Sequence, residues 1–338
     1  MRLILICLVL TFSWSHAFAV SENTLKTTLD DVILPFYTSQ LQSGIFQGKD
    51  DVAISYVKLE VPDEKGALVI SSGRTESHIK YAEFIYDLRD AGFSIYILDH
   101  RGQGFSGRML DDPQKGYIGS FEDYVADLKT FVDTVVNARG HATRFILAHS
   151  MGGTIAVMYV AKYPDDFDGL ILSAPMLQIN TSPLPETVAA LLTKVLIALG
   201  MGDSYIPGGN KYDPDEPFED NEVTHSQVRY AMNKKFISLN SQIALGSPTN
   251  RWLREGLKAA RQATESTDRI ELPVLLLQAE MDSVVKPDAQ DEFCRKAKGC
   301  TKVTQSGARH EILMERDEVR DKALDHILDF LNKHATTN

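Results

Sequence analysis

The segment from Arg144 to Val160, RFILAHSMGGTIAVMYV, constrains the fold of this chain more than any other. Residues 145–148 form a short apolar run of the buried-strand type, and residues 154–160 are apolar enough for a buried helix. Ser150 therefore lies on a sharp turn between a strand and a helix. Small residues two positions before and after such a serine are typical of a nucleophile elbow, Gly-x-Ser-x-Gly, with alanine in the first position here. On these residues alone, an ordinary glycine turn explains the pattern equally well.

Residues 1–19 have the composition of an export signal. Arg2 precedes an unbroken apolar run at residues 3–10, and residues 17–19, Ala-Phe-Ala, have the small-x-small pattern of a signal-peptidase site. We therefore predict cleavage after Ala19 and a mature protein that is periplasmic or secreted. A membrane anchor is the weaker interpretation, because polar residues at 13, 15 and 16 interrupt the run well short of the ~20 apolar residues of a spanning helix.

Two cysteines, Cys294 and Cys300, remain after the predicted cleavage. Because an exported protein folds in a compartment that permits disulfides, we expect them to pair, and two free thiols are the alternative. The formal net charge of −11 argues against nucleic acid or anionic bilayers as electrostatic partners. Contact with lipid would then be mainly apolar. The spacing of cysteines and histidines does not resemble a zinc site, and we expect neither metal nor organic cofactor.

Strand-like and helix-like segments alternate along most of the chain. The predicted strands cover about 51–61, 67–70, 94–98, 145–148, 169–172, 274–278 and 302–304, and the predicted helices cover about 79–91, 121–138, 154–160, 251–264, 287–298 and 319–333. This alternation predicts an α/β fold, with a mostly parallel central sheet and helices on both faces, in one domain over residues 20–338. Gly102, Gly104 and Gly107 have the spacing of a dinucleotide loop, but no amphipathic helix follows at once, so we interpret them as the rim of a pocket.

The alternation stops between about residues 176 and 250, which we interpret as an inserted helical cap. A helix predicted at residues 188–199 is apolar on almost all sides, with Thr193 and Lys194 as its interior polar residues. Such a helix is buried against the body, lines an acyl-chain tunnel or contacts a lipid surface, and the sequence leaves these alternatives open. The acidic stretch at 213–222 lacks the spacing of an EF-hand, so we interpret it as a solvated loop.

Polar residues that follow predicted strands can form a catalytic site. A serine hydroxyl needs a base that accepts its proton and a carboxylate that fixes the tautomer of the base. Ser150, Asp282 and His310 occur in the order found in α/β-hydrolases, and each follows a predicted strand. Glu280 and Asp288 are weaker candidates, because Glu280 lies close to the strand end and Asp288 lies within a predicted helix.

The loop at residues 71–77 follows the predicted strand at 67–70. In α/β-hydrolases this position supplies one of the two amides of the oxyanion hole. We therefore assign that function to the backbone N–H near Arg74, and an ordinary connection between strand and helix is the alternative.

Several motifs carry a family resemblance. They are SSGRTESHIKYAEF (71–84), DHRGQGFSGR (99–108), LAHSMGG (147–153), LGSPTNRWLREGL (245–257), LLLQAEMDSVV (275–285) and GARHEILMERD (307–317). Together they resemble bacterial lysophospholipases of the α/β-hydrolase fold, which are relatives of the monoacylglycerol lipases. The resemblance covers nearly all of the predicted mature chain. It departs at two places: many relatives have His-Gly where this chain has Ser72-Gly73, and many have glycine in place of Ala148.

The resemblance implies a carboxylic ester hydrolase that releases the fatty acid of a lysophospholipid or a similar monoacyl lipid. Ser150, Asp282 and His310 would form its catalytic triad, and the backbone amides of Arg74 and Met151 would stabilise the oxyanion. Monoacylglycerol lipase activity, general carboxylesterase activity and acyl transfer to another acceptor remain open. A hydrolase-fold lipid-binding protein without activity is the remaining alternative, and the three residues in order argue against it.

Overall fold

A central eight-stranded sheet organises the computed structural model, which describes residues 19–335. The predicted export signal therefore lies outside the described residues except for Ala19. The strands are β1 (Gln42–Gln47), β2 (Ala53–Leu59), β3 (Gly66–Ser71), β4 (Phe93–Leu98), β5 (Arg144–His149), β6 (Gly169–Ser173), β7 (Val274–Ala279) and β8 (Cys300–Gln305). Their order in the sheet is β1-β2-β4-β3-β5-β6-β7-β8. Strand β2 is antiparallel to both of its neighbours, and all other neighbouring pairs are parallel.

The inner strands are buried along their whole length. Every residue of β3, β4, β6 and β7 is buried, because helices cover both faces of the sheet. Parallel strands in this position require apolar residues at almost every place, which is why their short apolar runs predicted them. The edge strand β1 has the sequence QSGIFQ and exposed residues at alternate positions. It has no such run, and we did not predict it.

Ten α-helices surround the sheet in the part of the chain described. They are α1 (Glu22–Thr28), α2 (Leu34–Gln40), α3 (Ala82–Leu88), α4 (Phe121–Phe131), α5 (Met151–Lys162), α6 (Glu186–Ala198), α7 (Gln227–Leu239), α8 (Asn250–Glu265), α9 (Pro287–Lys296) and α10 (Asp317–His334). Two apolar clusters lie on opposite faces of the sheet, one built with α4, α5, α8 and α9 and the other with α1, α2, α3, α7 and α10. The predicted layers, a mostly parallel sheet with helices on both faces, are confirmed.

The insertion between β6 and α8 has two parts with different neighbours. Helix α6 packs against α8 and lies over the carboxyl edge of the sheet. Helix α7, which we did not predict, packs against α1, and its Met232 and Phe236 join the apolar cluster that contains Leu25 and Leu29. The second half of the insertion therefore packs on the body of the molecule.

Cys294 near the end of α9 and Cys300 at the start of β8 form a disulfide, with their Cα atoms 5.3 Å apart. This confirms the predicted pairing. None of the helices within residues 19–335 has both the length and the hydrophobicity needed to cross a membrane.

Candidate active site

Ser150 lies at the turn between β5 and α5 with φ 51° and ψ −117°, a conformation that costs a non-glycine residue free energy. The turn brings the start of α5 very close to β3. A Cβ atom on Gly152 would lie 2.1 Å from the carbonyl oxygen of Ser71, so only glycine fits at that position. Ala148 pairs with Ser71 in the sheet and is fully buried there. The structure thus accommodates a methyl group at the first small position of the elbow and none at the second.

The structure brings together the three residues that we predicted from order and position. His310 Nε2 lies 2.8 Å from Ser150 Oγ, and His310 Nδ1 lies 2.8 Å from Asp282 Oδ2. Asp282 follows β7 and His310 follows β8, and the carboxyl ends of parallel strands meet at one edge of a sheet. Ser150 and His310 are buried, with 8% and 5% of their surface exposed. The arrangement can pass the hydroxyl proton of Ser150 to His310 while Asp282 holds the ring.

Asp282 is held as an anion by its surroundings. Burial raises its pKa, but the hydrogen bond and charge of His310 and the amides of Val285 and Val284 outweigh burial, so the pKa lies below its ordinary value. Its Oδ1 accepts those two amides at 3.0 and 2.9 Å. With Asp282 ionised, Nδ1 of His310 carries the proton and donates it to Oδ2, which leaves Nε2 free to accept from Ser150.

The weaker carboxylate candidates lie away from His310. Glu280 is exposed and accepts hydrogen bonds from Ser306 Oγ at 2.9 Å and Gly307 N at 2.7 Å. Asp288 is exposed in the first turn of α9. Neither is therefore in a position to orient the histidine.

A second histidine lies beside the site. The rings of His149 and His310 are 5.0 Å apart, and His149 Nδ1 donates to the carbonyl oxygen of Ser173 at 3.0 Å. Burial lowers the pKa of His149, so its ring is neutral and adds no positive charge next to the base.

The predicted oxyanion loop is held from below by side chains. Gln103 Nε2 donates to the carbonyl oxygens of Gly73 at 2.7 Å and Glu76 at 3.1 Å, and Glu76 accepts the Gly73 amide. The backbone amides of Arg74 and Met151 donate to no other atom of residues 19–335, and both residues line the cavity that contains Ser150. These two amides are thus free to bind an oxygen of a bound molecule. The loop containing Gln103 is buried beneath the oxyanion loop, so our interpretation of it as a pocket rim was wrong.

A buried ion network supports this loop. Lys80 Nζ donates to Glu76 Oε1 at 2.7 Å and to Glu311 Oε1 at 2.6 Å, and Tyr81 donates to Glu76 Oε2 at 2.8 Å. Burial raises the pKa of Glu76, but the charge and hydrogen bond of Lys80 and the hydrogen bond of the Gly73 amide outweigh burial, so the pKa lies below its ordinary value. Sequence reasoning missed this group, although the spacing of four between Glu76 and Lys80 is typical of an ion pair.

A cavity of about 520 Å³ opens above Ser150. This volume is within the range of small-molecule sites, roughly 300–1,000 Å³. Much of its wall is apolar and comes from α6, α8 and the segments that follow β6 and β7. These residues include Met176, Ile179, Leu184, Ala189, Leu192, Ile206, Pro248, Trp252, Leu253, Val284 and Val285. The cavity can therefore accept an apolar chain whose end lies at the serine.

Helix α6 has two different faces. Ala189, Leu192 and Thr193 line the cavity. An adjacent stripe of apolar side chains is exposed: Val188 (45%), Leu191 (62%), Val195 (47%) and Leu199 (70%). One face of α6 thus lines a cavity, and another has no protein cover among the described residues.

Among residues 19–335, no group of three or more histidine, cysteine, aspartate or glutamate side chains has a geometry that could hold a metal ion. The acidic stretch at 213–222 is largely exposed and forms no such group.

The chain is similar to known ester hydrolases. A family model described as serine aminopeptidase, S33, matches residues 62–317. Lysophospholipase L2 of Escherichia coli K12 is 38% identical over 302 residues, which cover 87% of this chain and 88% of that protein. Monoglyceride lipase of Rattus norvegicus is 28% identical over 217 residues, covering 62% and 65% of the two chains. The crystal structure of a carboxyl esterase from Bacillus coagulans has a TM-score of 0.72 at 20% identity, covering 88% and 99%. The resemblance predicted from the motifs is confirmed.

Proposed function

This chain belongs to the serine aminopeptidase S33 family of α/β-hydrolases, and from that premise we propose that it hydrolyses the single acyl ester of lysophospholipids. It is homologous to the carboxylic ester hydrolase lysophospholipase L2 over most of its length. The observation that carries the proposal is the pair of 2.8 Å contacts that link Ser150, His310 and Asp282 at the floor of the apolar cavity.

Acylation is the first half of the proposed reaction. Ser150 Oγ attacks the ester carbonyl carbon and gives its proton to His310 Nε2, while Asp282 stabilises the imidazolium. The carbonyl oxygen becomes an oxyanion that accepts the amides of Arg74 and Met151, and each such donor lowers the barrier by about 3 kcal/mol. When the tetrahedral intermediate collapses, the glycerol oxygen leaves with the proton from His310. The acyl group remains on Ser150.

Deacylation repeats these steps with water. His310 takes a proton from a water molecule, whose oxygen attacks the acyl carbon. The intermediate collapses, Ser150 Oγ recovers the proton from His310, and the fatty acid is released. These steps need no metal or organic cofactor, since His310 carries every proton.

Monoacylglycerol hydrolysis is the second candidate, because the proposed triad does not contact the headgroup and the chain is homologous to monoglyceride lipase. Both substrates present a single acyl chain to an apolar cavity. The discrimination between them must come from polar groups at the cavity.

We further propose that the exposed stripe of α6 contacts a lipid surface. Leu191 and Leu199 are 62% and 70% exposed, and neighbouring Met201 is 44% exposed. Large apolar side chains in one continuous stripe on a soluble domain often mark an interaction surface. A lipid surface would also present the substrate to the adjacent cavity.

Export is likewise a proposal. It is supported by the sequence pattern of residues 1–19 and by the disulfide between Cys294 and Cys300, which is typical of exported proteins. Fractionation of the native producer with an antibody would test it.

Fatty-acid release from a panel of substrates tests the proposed activity. The panel contains lysophosphatidylcholine, a diacyl phospholipid, a monoacylglycerol, a short soluble ester and an aminoacyl arylamide, because the family description names an aminopeptidase. We expect the wild type to hydrolyse lysophosphatidylcholine, and Ser150→Ala to be inactive while folded. Turnover of the short ester alone would refute the lysophospholipase proposal, and full activity of Ser150→Ala would refute the proposed mechanism.

A further inference from the structure

Arg74 is a cation without an anionic partner in the cavity of Ser150. One of its nitrogens, Nη1, donates to the carbonyl oxygen of Gly246 at 2.8 Å, and its guanidinium carbon lies 5.6 Å from the ring of Trp252. Within residues 19–335 no carboxylate lies within ion-pairing distance of it. The remaining donors of this guanidinium group are thus available to a molecule in the cavity.

The three arginines that are buried within residues 19–335 are paired with carboxylates. Arg101 contacts Asp127 at 2.6 Å, Arg229 contacts Glu83 at 2.8 Å, and Arg320 contacts Asp87 at 2.7 Å. Burial of a charge is costly unless it is paired. Arg74 is half-buried, lines the cavity of Ser150 and has no such carboxylate.

The charge of Arg74 persists in this environment. Burial lowers its pKa to about 10, and the neighbouring Tyr124 opposes that effect. The side chain is thus protonated at neutral pH and can make bidentate hydrogen bonds to an anion with paired oxygens.

We propose that the Arg74 guanidinium binds the phosphodiester of a lysophospholipid, which makes Arg74 the residue that distinguishes this substrate from a monoacylglycerol. The inference rests on the proposed hydrolase function, because the Arg74 amide would hold the oxyanion of the same substrate. Two bond counts are equal. The amide nitrogen of Arg74 is separated from its guanidinium carbon by the same number of bonds as the ester carbonyl carbon is from phosphorus in a 1-acyl lysophospholipid. The two groups of Arg74 thus match the two groups of the substrate in bond separation.

A ratio of activities tests this proposal. The value of kcat/KM is measured for lysophosphatidylcholine and for a monoacylglycerol with the same acyl chain, in wild type, Arg74→Met, Arg74→Lys and Arg251→Met. We define the ratio as kcat/KM for lysophosphatidylcholine divided by kcat/KM for the monoacylglycerol. For Arg74→Met we expect this ratio to fall about 10- to 100-fold, which is the range expected for the loss of a hydrogen bond to a charged group. Arg74→Lys should recover part of the ratio. Arg251 lies near the cavity without lining it, so Arg251→Met should keep the wild-type ratio.

Binding to the Ser150→Ala protein separates this proposal from the activity. An alkylphosphocholine and an alkylglycerol of equal chain length, both below their micelle concentrations, serve as probes in calorimetry. We expect Arg74→Met to weaken only the alkylphosphocholine about tenfold or more. Equal losses for both probes, or an unchanged activity ratio, would overturn the role of Arg74. Absence of lysophospholipid turnover in the wild type would instead refute the proposed function.

A different observation concerns Val20, the residue that follows the predicted cleavage site. Its backbone nitrogen donates to Asp87 Oδ1 at 2.9 Å, and its carbonyl oxygen accepts from Arg229 Nη2 at 3.1 Å. Val20 thus touches a buried group of charged side chains at the side of the molecule formed by α1, α3, α7 and α10.

The charges of this group do not balance without a further cation. Three carboxylates, of Glu83, Asp87 and Asp317, lie within ion-pairing distance of two guanidinium groups, of Arg229 and Arg320. Burial, reinforced by Glu83, raises the pKa of Asp87 to about 6 against the opposing charge of Arg320. One additional positive charge next to Asp87 would balance the three carboxylates of this group.

We infer that cleavage after Ala19 supplies this charge, because it converts the Val20 amide into an α-ammonium group next to Asp87. The new terminus would then pair with a buried carboxylate and anchor the start of the mature chain. This inference is independent of the hydrolase function and depends on the predicted cleavage site.

Thermal unfolding of matched chains tests it. One chain begins at Val20 and another at Ala17, which moves the amine three residues away, and each is also made with Asp87→Asn. We expect the chain that begins at Val20 to unfold at least about 2 °C higher, and Asp87→Asn to remove that difference. An equal midpoint for the first two chains would overturn the inference.

Two further measurements keep this test decisive. Mass spectrometry of the exported protein should find Val20 at the amino terminus, and another terminus would contradict the inference. If Asp87→Asn does not fold, the reductive methylation rate of the Val20 amine is measured in place of the comparison with that variant. An ion pair between the Val20 amine and Asp87 predicts slower methylation in the folded than in the denatured chain. Equal rates would overturn the inference.

Discussion

The two sides of the cavity differ in how their side chains are held. Below the cavity, Ser150, His310 and Asp282 each have a short hydrogen bond within the site. Above it, α6 contributes an apolar face to the cavity and leaves a second apolar face exposed. The hydrogen bonds of the lower side are thus made within one chain, whereas the upper side has apolar groups that no part of residues 19–335 covers. This difference suggests that the chemistry depends on the sheet edge and that substrate choice depends on the insertion.

The first prediction tests whether the lower side depends on Asp282 alone among the nearby carboxylates. Asp282→Asn should lower kcat about 10⁴-fold, because the amide favours the wrong tautomer of His310. Glu280→Gln is the matched control, since Glu280 follows the same strand but binds Ser306 and Gly307. It should change kcat less than about threefold, because Glu280 is exposed and has no hydrogen bond to His310. Comparable losses in the two variants, measured on a soluble ester, would contradict this view of the site.

The second prediction concerns the support of the oxyanion loop. Glu76→Gln removes the negative charge and replaces one of two acceptor oxygens with an NH2 donor, so it cannot accept from both Lys80 and the Gly73 amide as Glu76 does. We expect a loss of stability of about 3 kcal/mol and a fall in kcat of about 10- to 100-fold, because the Arg74 amide loses its position. Glu83→Gln breaks a buried ion pair with Arg229, and Glu83 has no hydrogen bond or ion pair with residues 71–77.

Denaturant unfolding and kcat, both measured well below the unfolding temperature, distinguish the two carboxylates. Glu83→Gln should lose similar stability and keep its kcat. If both variants lose kcat in proportion to stability, Glu76 has no specific effect on the oxyanion loop.

The third prediction addresses the exposed face of α6. The double variant Leu191→Ser/Val195→Ser should bind phosphatidylcholine vesicles about 30-fold more weakly or worse, because each apolar side chain that enters lipid contributes roughly 1–2 kcal/mol. Its kcat/KM on a soluble ester should stay unchanged. Leu239→Ser is the control, since Leu239 is 63% exposed at the end of α7 and outside this stripe. Equal vesicle binding by the double variant and the wild type would refute the proposed surface.

The smallest effect on activity is expected from the disulfide. Replacing both Cys294 and Cys300 with serine should destabilise the protein by on the order of 2 kcal/mol, through the entropy of a short loop. The rate of ester hydrolysis should not change, because the bond joins α9 to β8 outside the cavity. Denaturant unfolding and a rate assay on the same samples would reveal a coupling if one exists.

The same contrast explains what could be predicted from the sequence. Inner strands such as β3 and β7 were predicted because burial on both faces requires continuous apolar runs. The order Ser150, Asp282, His310 was predicted because Ser150 and Asp282 lie within three residues of the end of such a strand and His310 lies in the loop after β8. These signals are local, and they survive in a single sequence.

The features that were missed depend on contacts between distant segments. Helix α7 carries few apolar residues on one face, and its packing on α1 involves residues about 200 positions apart. The hydrogen bonds of Gln103 beneath Gly73 and the unpaired charge of Arg74 also arise from tertiary packing. Periodicity contains no information on such contacts. The position of the glycine loop beneath the oxyanion loop and the packing of the cap therefore could not be predicted from the sequence.

The most direct test of the central claim is to locate the reactive nucleophile. The folded wild-type protein is treated with a fluorophosphonate, digested and analysed by mass spectrometry. Adduct formation should be confined to the peptide that contains Ser150 and should be lost in Ser150→Ala and slowed strongly in His310→Ala. An adduct on another residue, or none on folded wild-type protein, would contradict the account.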